Sequence, residues 1–263
     1  MCKHLASFIS PFLGGKLDLV ADKCRKHLLL MAEYKRGITW STKIVLQATL
    51  NLLGHSDNPT ELEGECISNQ EDLAKSIVEN HLHGVTQNYF FIRMWLAYLF
   101  RRDDLAAQMA TRCRTFRLKP EILVDTTFYV GLIAVRRVNG KSQGEPDDID
   151  WRSIALESKE KLKNLAQLCP WNFAHKDRLL GAEIAYKLEE DLELAALAYD
   201  QAISLAGEHR FLHEEALACE LAGLFHAEEV RPTLAADYLE RARKHYGEWG
   251  ALAKVDDLER QRD

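Results

Sequence analysis

The sequence has few residues that interrupt helices and no spacing of cysteines that indicates covalent pairing. Six prolines and fourteen glycines in 263 residues leave long stretches open to helix, and Leu, Ala, Glu and Lys are abundant. The six cysteines are scattered, with no Cys-x-x-Cys, so neither a disulfide framework nor a zinc ribbon is indicated. We therefore expect reduced, mostly buried thiols and a cytoplasmic protein.

Long apolar runs and a positive net charge are also absent. No stretch approaches the roughly 20 apolar residues that span a bilayer, and Pro11 interrupts the short stretch 5–15 that faintly resembles a signal-peptide core. The net charge of -6 provides no general attraction to nucleic acid or to an anionic membrane. We expect neither of them as a partner.

Apolar residues recur at three- and four-residue steps along most of the chain, which is typical of amphipathic helices. Before residue 170 the pattern predicts helices at 17–30, at 39–53, through Leu73, Ile77 and His81, and at 89–100, 103–113, 121–138 and 154–168. The helix 89–100 is apolar nearly all round, with Arg93 its only charge, so it should lie inside the protein. Gly54 should end the second helix, and Asp103 or Asp104 should cap the fifth.

An internal repeat begins after Trp171. The segment 180–184 is echoed forty-one residues later by 221–225, and 194–196 is echoed forty residues later by 234–236. The difference of one residue falls in the intervening turn, where a change of length costs little. Each repeat is therefore a helix, a turn and a second helix.

Within the second helix of each repeat, Tyr199 and Ala202 recur as Leu239 and Ala242. This alternation of large and small residues resembles the tetratricopeptide pattern, although the units have about 40 residues instead of 34 and lack the terminal proline. The fold class that we predict is all-α, with antiparallel helix pairs stacked as a tetratricopeptide-like α-solenoid. A bulky charged residue at Ala202 should cost roughly 1–3 kcal/mol in overpacking before its buried charge is counted.

A polar segment with two glycines and a proline, 139–150, is the clearest loop in the chain. It divides the sequence into three parts. Irregular helical hairpins occupy 1–138, the loop occupies 139–150, and tetratricopeptide-like repeats with a C-terminal capping helix occupy 151–263.

Three short stretches resemble binding or catalytic motifs, and each lacks an essential residue. Gly14-Gly15-Lys16 lacks the Ser or Thr of a phosphate loop, because Leu17 follows the lysine. His213-Glu214 begins like a zinc protease motif, but Leu217 stands where the second histidine should be. His209 and His213 are one helical turn apart and have no evident third metal ligand. We interpret both as surface histidines or as capping groups.

Two charged clusters and one further histidine pair complete the candidates. The basic cluster comprises Arg101, Arg102, Arg112, Arg114, Arg117 and Lys119; the acidic one comprises Glu189, Glu190, Asp191 and Glu193; the histidines are His81 and His83. Because acidic residues interrupt the basic cluster and no series of aromatics is interleaved with it, a solvated face or a docking patch for an acidic partner fits better than a nucleic-acid site. The acidic cluster should lie at a turn, and the histidines should be solvated or at the edge of the core.

No serine-hydrolase elbow, kinase catalytic loop or paired-carboxylate arrangement occurs. His175, His213 and Glu214 have the chemistry of ligands or catalysts, but the repeat makes their neighbours Leu180 and Tyr199 packing positions. We interpret this segment as a seam between helices. We assign no catalytic, cofactor-binding or metal-ligating residue and expect no cofactor.

The amino-acid sequence of the last third of the chain, about 170–258, resembles that of a particular group of proteins. The residues that carry the resemblance are Cys169, Pro170, Trp171, Asn172, Phe173, His175, Lys176, Leu179, Leu180, Ala182, Glu183, Tyr199, Asp200, Ala202, Ile203, Phe211, His213, Glu214, Glu215, Ala216, Leu217, Trp249, Gly250, Ala251, Ala253, Lys254 and Val255. They are similar to the helical region of large sensor kinases in which a serine/threonine-kinase-like domain and an AAA (STAND) ATPase precede the repeats, and GAF and histidine-kinase domains follow. The earlier part of the chain is similar by helix pattern only.

That resemblance implies a helical segment that transmits or scaffolds signals between an ATPase and a sensor module. The kinase, nucleotide-binding and phospho-acceptor motifs of the family have no counterpart here, so the chain would be a fragment or a shortened product that kept the repeats. Our function prediction is a non-catalytic scaffold or signal-relay segment that contacts proteins. The alternatives are a free-standing adaptor that binds a partner peptide and, third, an uncharacterised enzyme with an active site between helices.

Overall fold

The computed structural model of the protein describes residues 15–33, 39–79, 82–116, 120–138 and 149–261. Within them the chain forms twelve helices and no strand: α1 Leu17–Glu33, α2 Trp40–Leu52, α3 Gln70–Glu79, α4 His83–Leu99, α5 Asp103–Arg114, α6 Pro120–Val138, α7 Trp151–Leu168, α8 Pro170–Lys187, α9 Leu192–Glu208, α10 Leu212–Glu228, α11 Pro232–Trp249 and α12 Leu252–Arg260. The prediction of an all-α chain is confirmed, and neighbouring helices pack in pairs.

The helix boundaries differ from the predicted ones in a few places. Asp103 does not cap α5 but begins it, and Arg102 is the N-cap residue without a side-chain hydrogen bond. Both Asp103 and Asp104 lie in the first turn, where a negative charge favours the helix dipole. Gly54 follows α2 with a φ of 89°, as expected of a helix-ending glycine. His81 and the predicted loop residues 139–148 lie outside the described residues.

The chain forms two compact units. The first comprises Met1–Leu123 and Gly247–Asp263, and the second comprises Val124–Tyr246. The predicted division at 139–150 concerns sequence segments and stays a prediction. Within the described residues, no helix has both the length and the apolar content needed to cross a bilayer.

The core of the first unit is built around α4. As predicted, this helix is buried on nearly all sides, because its aromatic and aliphatic side chains leave no polar face. The rings of Trp95 and Trp249 meet edge to face with centroids 6.1 Å apart. Beneath the irregular segment after α2, buried Gln47 accepts a hydrogen bond from the backbone N–H of Cys66 (3.0 Å). Asn51 donates to the carbonyl oxygen of Pro59 (3.2 Å), so side-chain amides satisfy backbone groups that have no helical partner.

In the second unit, equivalent helices of the repeat run alongside each other in register. His175 of α8 contacts Glu214 of α10, thirty-nine residues later, and Tyr186 contacts Glu228, forty-two residues later. Tyr238 of α11 donates a hydrogen bond to Asp200 of α9. Residues about one repeat apart therefore meet at two points between α8 and α10 and at one point between α9 and α11.

Most of the predicted packing positions of the repeat are buried, but Gly181 and Leu239 are only half-buried and Ala236 is exposed. Leu180, Tyr199, Ala202 and Ala242 are all buried. Leu194 and Leu234, the first residues of the echoed Leu-Ala-Ala, are instead 46% and 44% exposed. Their spacing fits the repeat, but they project outward from the first turns of α9 and α11.

Gly223 lies where α10 packs closely on α11. A Cβ there would lie 2.7 Å from Cγ of Leu239 and 3.2 Å from its backbone nitrogen. We expect Gly223→Ala to lower the free energy of unfolding by about 1–3 kcal/mol, because the backbone of α11 cannot move away freely. Urea titration measures the change. Gly247→Ala is the matched control: its Cβ would meet nothing nearer than 4.0 Å, so it should raise stability by about 0.5–1 kcal/mol. Equal effects would contradict the close approach at Gly223.

The turns of the repeat also share a backbone conformation. Glu190 and Val230, forty residues apart, have φ values of 57° and 54°; Arg210 and Gly250, again forty apart, have 62° and 97°. These residues follow helix ends, where a left-handed residue lets the next N–H return to the last turn, as Arg231 N–H does to His226 (2.9 Å). The periodicity therefore extends from side chains to backbone geometry.

Val230 is strained in this conformation, because a β-branched side chain is unfavourable at positive φ. Its side chain is 85% exposed, so removing it sacrifices little packing. We expect Val230→Gly to raise the free energy of unfolding by about 1 kcal/mol. Val230→Ala keeps a Cβ and should give a smaller gain; a loss of stability in Val230→Gly would show that the valine is not strained. Thermal and urea unfolding of both variants provide the measurement.

Candidate functional site: a buried charge cluster in the second unit

Three helices of the second unit bring charged side chains together in its interior. Asp125 comes from α6, His175 and Lys176 from α8, and His213 and Glu214 from the first turn of α10. We call these five residues the charge cluster. The contacts between α8 and α10 follow from the repeat, since the starts of equivalent helices lie side by side.

Lys176 is the centre of the charge cluster. Its ammonium group contacts the carboxylate of Glu214 and lies 3.3 Å from Oδ1 of Asp125. It also lies 5.3 Å and 5.8 Å from the ring centroids of Phe128 and Phe211. Two carboxylates and two aromatic faces therefore replace the water that a lysine loses on burial.

Glu214 is held by cations and hydrogen-bond donors on several sides. Besides Lys176, its carboxylate contacts Nε2 of His175 and lies 3.5 Å from Nε2 of His213. The ring of His175 stacks on Phe211 with centroids 4.4 Å apart, which fixes the direction in which Nε2 points. Nδ1 of His175 has no hydrogen-bond partner among the described residues.

Burial and pairing act in opposite directions on these groups. Burial lowers the pKa of His175 more than the contact with Glu214 raises it. Burial alone would raise the pKa of Glu214, but Lys176, His175 and His213 outweigh it and hold that pKa well below its usual range. Burial raises the pKa of Asp125, against the attraction of Lys176. For Lys176 the two carboxylates outweigh burial, and its pKa is raised.

These states determine what the charge cluster can do chemically. A lysine with a raised pKa is a poor nucleophile, and a carboxylate with a depressed pKa is a poor general base. With His175 neutral, its Nε2–H donates to Glu214. The arrangement therefore resembles a structural ion-pair network more than an acid–base site.

The pH dependence of stability follows from these shifts. Because folding lowers the pKa of His175, the unfolded chain binds protons more readily, and stability falls as the pH drops below about 6.5. The stabilisation by ionised Glu214 is lost at still lower pH, as it drops below about 4.5. The pKa of Asp125 is raised by folding, so protonation of Asp125 stabilises the folded protein as the pH falls and offsets part of the stability that is lost at Glu214.

We therefore expect the free energy of unfolding to decrease from pH 7 to pH 5, with a slope of at most about 1.4 kcal/mol per pH unit for one proton. His175→Gln keeps an N–H donor near Glu214 but does not titrate, so its decrease over this range should be smaller. Urea titrations at both pH values measure the two slopes. Equal slopes for both proteins would contradict this assignment.

The second unit contains two further buried pairs of tyrosine and glutamate. The hydroxyl of Tyr199 donates to Glu183, and that of Tyr246 donates to Oε2 of Glu220 (2.8 Å). Burial raises the pKa of Glu183, against the hydrogen bond from Tyr199. Each pair links the two helices of one repeat, so polar contacts accompany the apolar packing throughout the unit.

The candidates from the sequence are distributed unevenly. His213 is buried next to Glu214, so the interpretation of this residue as a surface histidine was wrong. His209 is half-buried, and its ring stacks on that of Trp171 with centroids 4.0 Å apart. The described members of the basic cluster, Arg101, Arg102, Arg112 and Arg114, are exposed. All four acidic residues, Glu189, Glu190, Asp191 and Glu193, are exposed in the turn and first residues of α9, as predicted, and Asp191 caps that helix by accepting from Leu194 N–H (2.9 Å).

His83 is exposed at the start of α4, as predicted, and Lys16 is exposed just before α1. Among the described residues, no group of three or more His, Cys, Asp or Glu side chains is arranged to hold a metal ion. The five described cysteines are free, and burial raises the pKa of Cys113 to about 12.

Sequence reasoning missed Asp125 and did not recognise Lys176 as a partner of Glu214. The contact of Lys176 with Glu214 could have been predicted, because positions 176 and 214 are nearly one repeat apart. None existed for Asp125, which lies before the repeat begins. Comparison with known proteins adds no further constraint: no family model, curated protein or solved structure matches this chain.

Proposed function

We propose that this chain is a non-catalytic helical-repeat scaffold that mediates protein contacts. The observation that carries the proposal is the exposure of leucine at equivalent repeat positions, Leu194 and Leu234. These positions lie on α9 and α11, which touch where the hydroxyl of Tyr238 donates a hydrogen bond to Asp200. A contiguous apolar patch on a protein surface is typical of a site that another protein covers, and in this proposal the two leucines belong to one such patch.

The charge cluster supports the same proposal. Its members pair with one another inside the unit, and the pKa shifts of Lys176 and Glu214 keep both of these groups charged near neutral pH. The third alternative, an enzyme with its active site between helices, would need titratable groups that are open to a substrate. An isothermal titration with ATP and a kinase assay should both be blank; robust turnover would contradict the proposal.

The finer architecture that accompanies this function is a tetratricopeptide-like α-solenoid, in which the helix pairs stack. We propose that the chain is a signal-relay segment of a cytoplasmic sensor kinase, because the sequence of residues 170–258 resembles that family. The runner-up is a free-standing adaptor that binds a partner peptide in the groove of the stack. Kinase or ATPase coding sequence adjoining this segment would favour the relay, and its absence would favour the adaptor.

The scaffold function is tested by site-specific photo-crosslinking in the cells that produce the protein. A photoreactive phenylalanine analogue replaces Leu194 or Leu234, and the same analogue at exposed Glu157 or Arg178 of the second unit is the control. We expect protein adducts at the two leucine positions that are weak or absent at the control positions. Equal labelling at all four positions would contradict a specific contact surface.

A further inference from the structure

Helix α1 has one buried face and one exposed face that carries large apolar side chains. Leu17, Val20, Ala21 and Cys24 are buried. On the opposite side, Leu19, Leu29 and Leu30 are 54%, 71% and 53% exposed. Three exposed leucines within a helix of 17 residues form a local apolar surface that packing inside the unit does not explain.

Lysines are interleaved with these leucines. Lys16, Lys23 and Lys26 are exposed, and the steps from Leu19 to Lys23, Lys26 and Leu30 are four, three and four residues. Such spacing places these four side chains on one side of a helix. We call Lys16, Leu19, Lys23, Lys26 and Leu30 the basic leucine stripe.

Two exposed acidic residues, Asp18 and Asp22, are four residues apart, and helical spacing places them with Leu29 on the adjoining side of α1. Arg25 is already paired, since its guanidinium lies 3.1 Å from Glu65. The charge that the stripe presents outward is therefore positive and is carried by its three lysines.

The order of charges along the stripe distinguishes between two kinds of partner. A helix that lies on a membrane separates its leucines from its lysines around the helix circumference, so that only the leucines enter the bilayer. Here Lys23 and Lys26 stand between Leu19 and Leu30 on the same line, so inserting the leucines would also bury two ammonium groups. An acidic helix with its own exposed leucines can cover the leucines and pair with the lysines at once.

The chain itself carries such a surface. On α9, Leu194 and Leu197 are exposed at a spacing of three residues, and exposed Glu190 and Glu193 lie next to them. Glu193 and Leu197 are one helical turn apart and therefore project from the same side. We call these four residues the acidic leucine face.

We propose that the basic leucine stripe of one copy docks on the acidic leucine face of a second copy, with lysines facing glutamates and leucines packed between them. The inference rests on the proposed function, because it names the partner of exposed leucines that the scaffold presents. The two surfaces are different, so a reciprocated contact gives a closed dimer and an unreciprocated one gives longer chains.

Sedimentation velocity of the purified chain, from low to high micromolar concentration, tests the proposal. We expect the average mass to rise with protein concentration and to fall at high salt, where opposite charges attract less. Two charge reversals, Lys23→Glu/Lys26→Glu and Glu190→Lys/Glu193→Lys, should each weaken self-association by about tenfold or more, since like charges then face each other. All four substituted residues are exposed, so both variants should fold, and circular dichroism checks this.

Mixing the two variants provides the decisive measurement. Each associates weakly alone, but the reversed stripe of one fits the reversed face of the other, so the mixture should regain association. Lys161→Glu/Arg178→Glu, which reverses two exposed charges elsewhere in the second unit, should associate like the unaltered protein.

A chain that stays monomeric at every concentration would overturn the inference, as would variants that associate normally or a mixture that fails to recover. Anionic vesicles or another acidic protein that bind the stripe of a monomeric chain would overturn it too and would identify a different occupant. Each of these results would overturn self-association without contradicting the proposed scaffold function. A monomeric chain that still cross-links to another protein at Leu194 keeps its proposed function.

Discussion

Replacing Lys176 by methionine should lower the free energy of unfolding by about 3–5 kcal/mol, because it removes one member of a buried ion pair. The side chain keeps its length and apolar stem, so packing changes little. Glu214, buried with its pKa held down mainly by Lys176, loses its principal counter-charge. An uncompensated charge in the interior is more costly than the ion pair was favourable. Urea unfolding followed by circular dichroism measures the effect.

Two further variants isolate the charge as the cause. Lys161→Met makes the same substitution at an exposed position of α7 and should change stability by no more than about 0.5 kcal/mol. Lys176→Met combined with Glu214→Gln removes both charges and should be more stable than Lys176→Met alone. If Lys176→Met unfolds like the unaltered protein, then the charge cluster does not stabilise the second unit.

Replacing Ala202 by arginine should prevent cooperative folding of the second unit. Ala202 is 1% exposed on α9, between buried Ala198 and Ala206. Overpacking there costs about 1–3 kcal/mol. A guanidinium cannot lose its charge in a protein, so burial without a partner adds several kcal/mol more. The sum approaches the whole stability of an ordinary domain, which is about 5–15 kcal/mol.

The matched control is Ser204→Arg, which introduces the same side chain at an exposed position of the same helix. It should leave the melting temperature close to that of the unaltered protein. Ala242→Arg, at the equivalent buried position of α11, should be as damaging as Ala202→Arg. An unchanged melting temperature for Ala202→Arg would mean that the register of the repeat is wrong.

The charge cluster shows how far sequence reasoning reached at the candidate site. His175, His213 and Glu214 were recognised as groups with the chemistry of ligands or catalysts, and their segment was interpreted as a seam. The structure shows that they meet in the interior and that Lys176 joins them. The forty-residue period indicated which helices would be neighbours, but it could not indicate which polar side chains would point at one another.

The exposed leucines show a second limit. The echo of 194–196 in 234–236 predicted that these segments are equivalent, and the structure agrees. Hydrophobicity alone suggested burial, yet Leu194 and Leu234 project outward while Ala195 and Ala235 are buried. Which side of a helix turns inward depends on the elements packed against it, and an alanine-rich helix has too little contrast between its sides to decide this locally.

The sequence by itself therefore determined the all-α character, most of the helices before residue 170 and the forty-residue repeat. These properties depend on the spacing of apolar and small residues within about one turn of helix, and on turns whose backbone conformation recurs with the repeat. Only the tertiary structure decided that Asp125, Lys176 and Glu214 share one buried site and that α1 and α9 present charged leucine surfaces. Such features depend on helices that are distant in sequence, and burial and pairing there outweigh what any local pattern expresses.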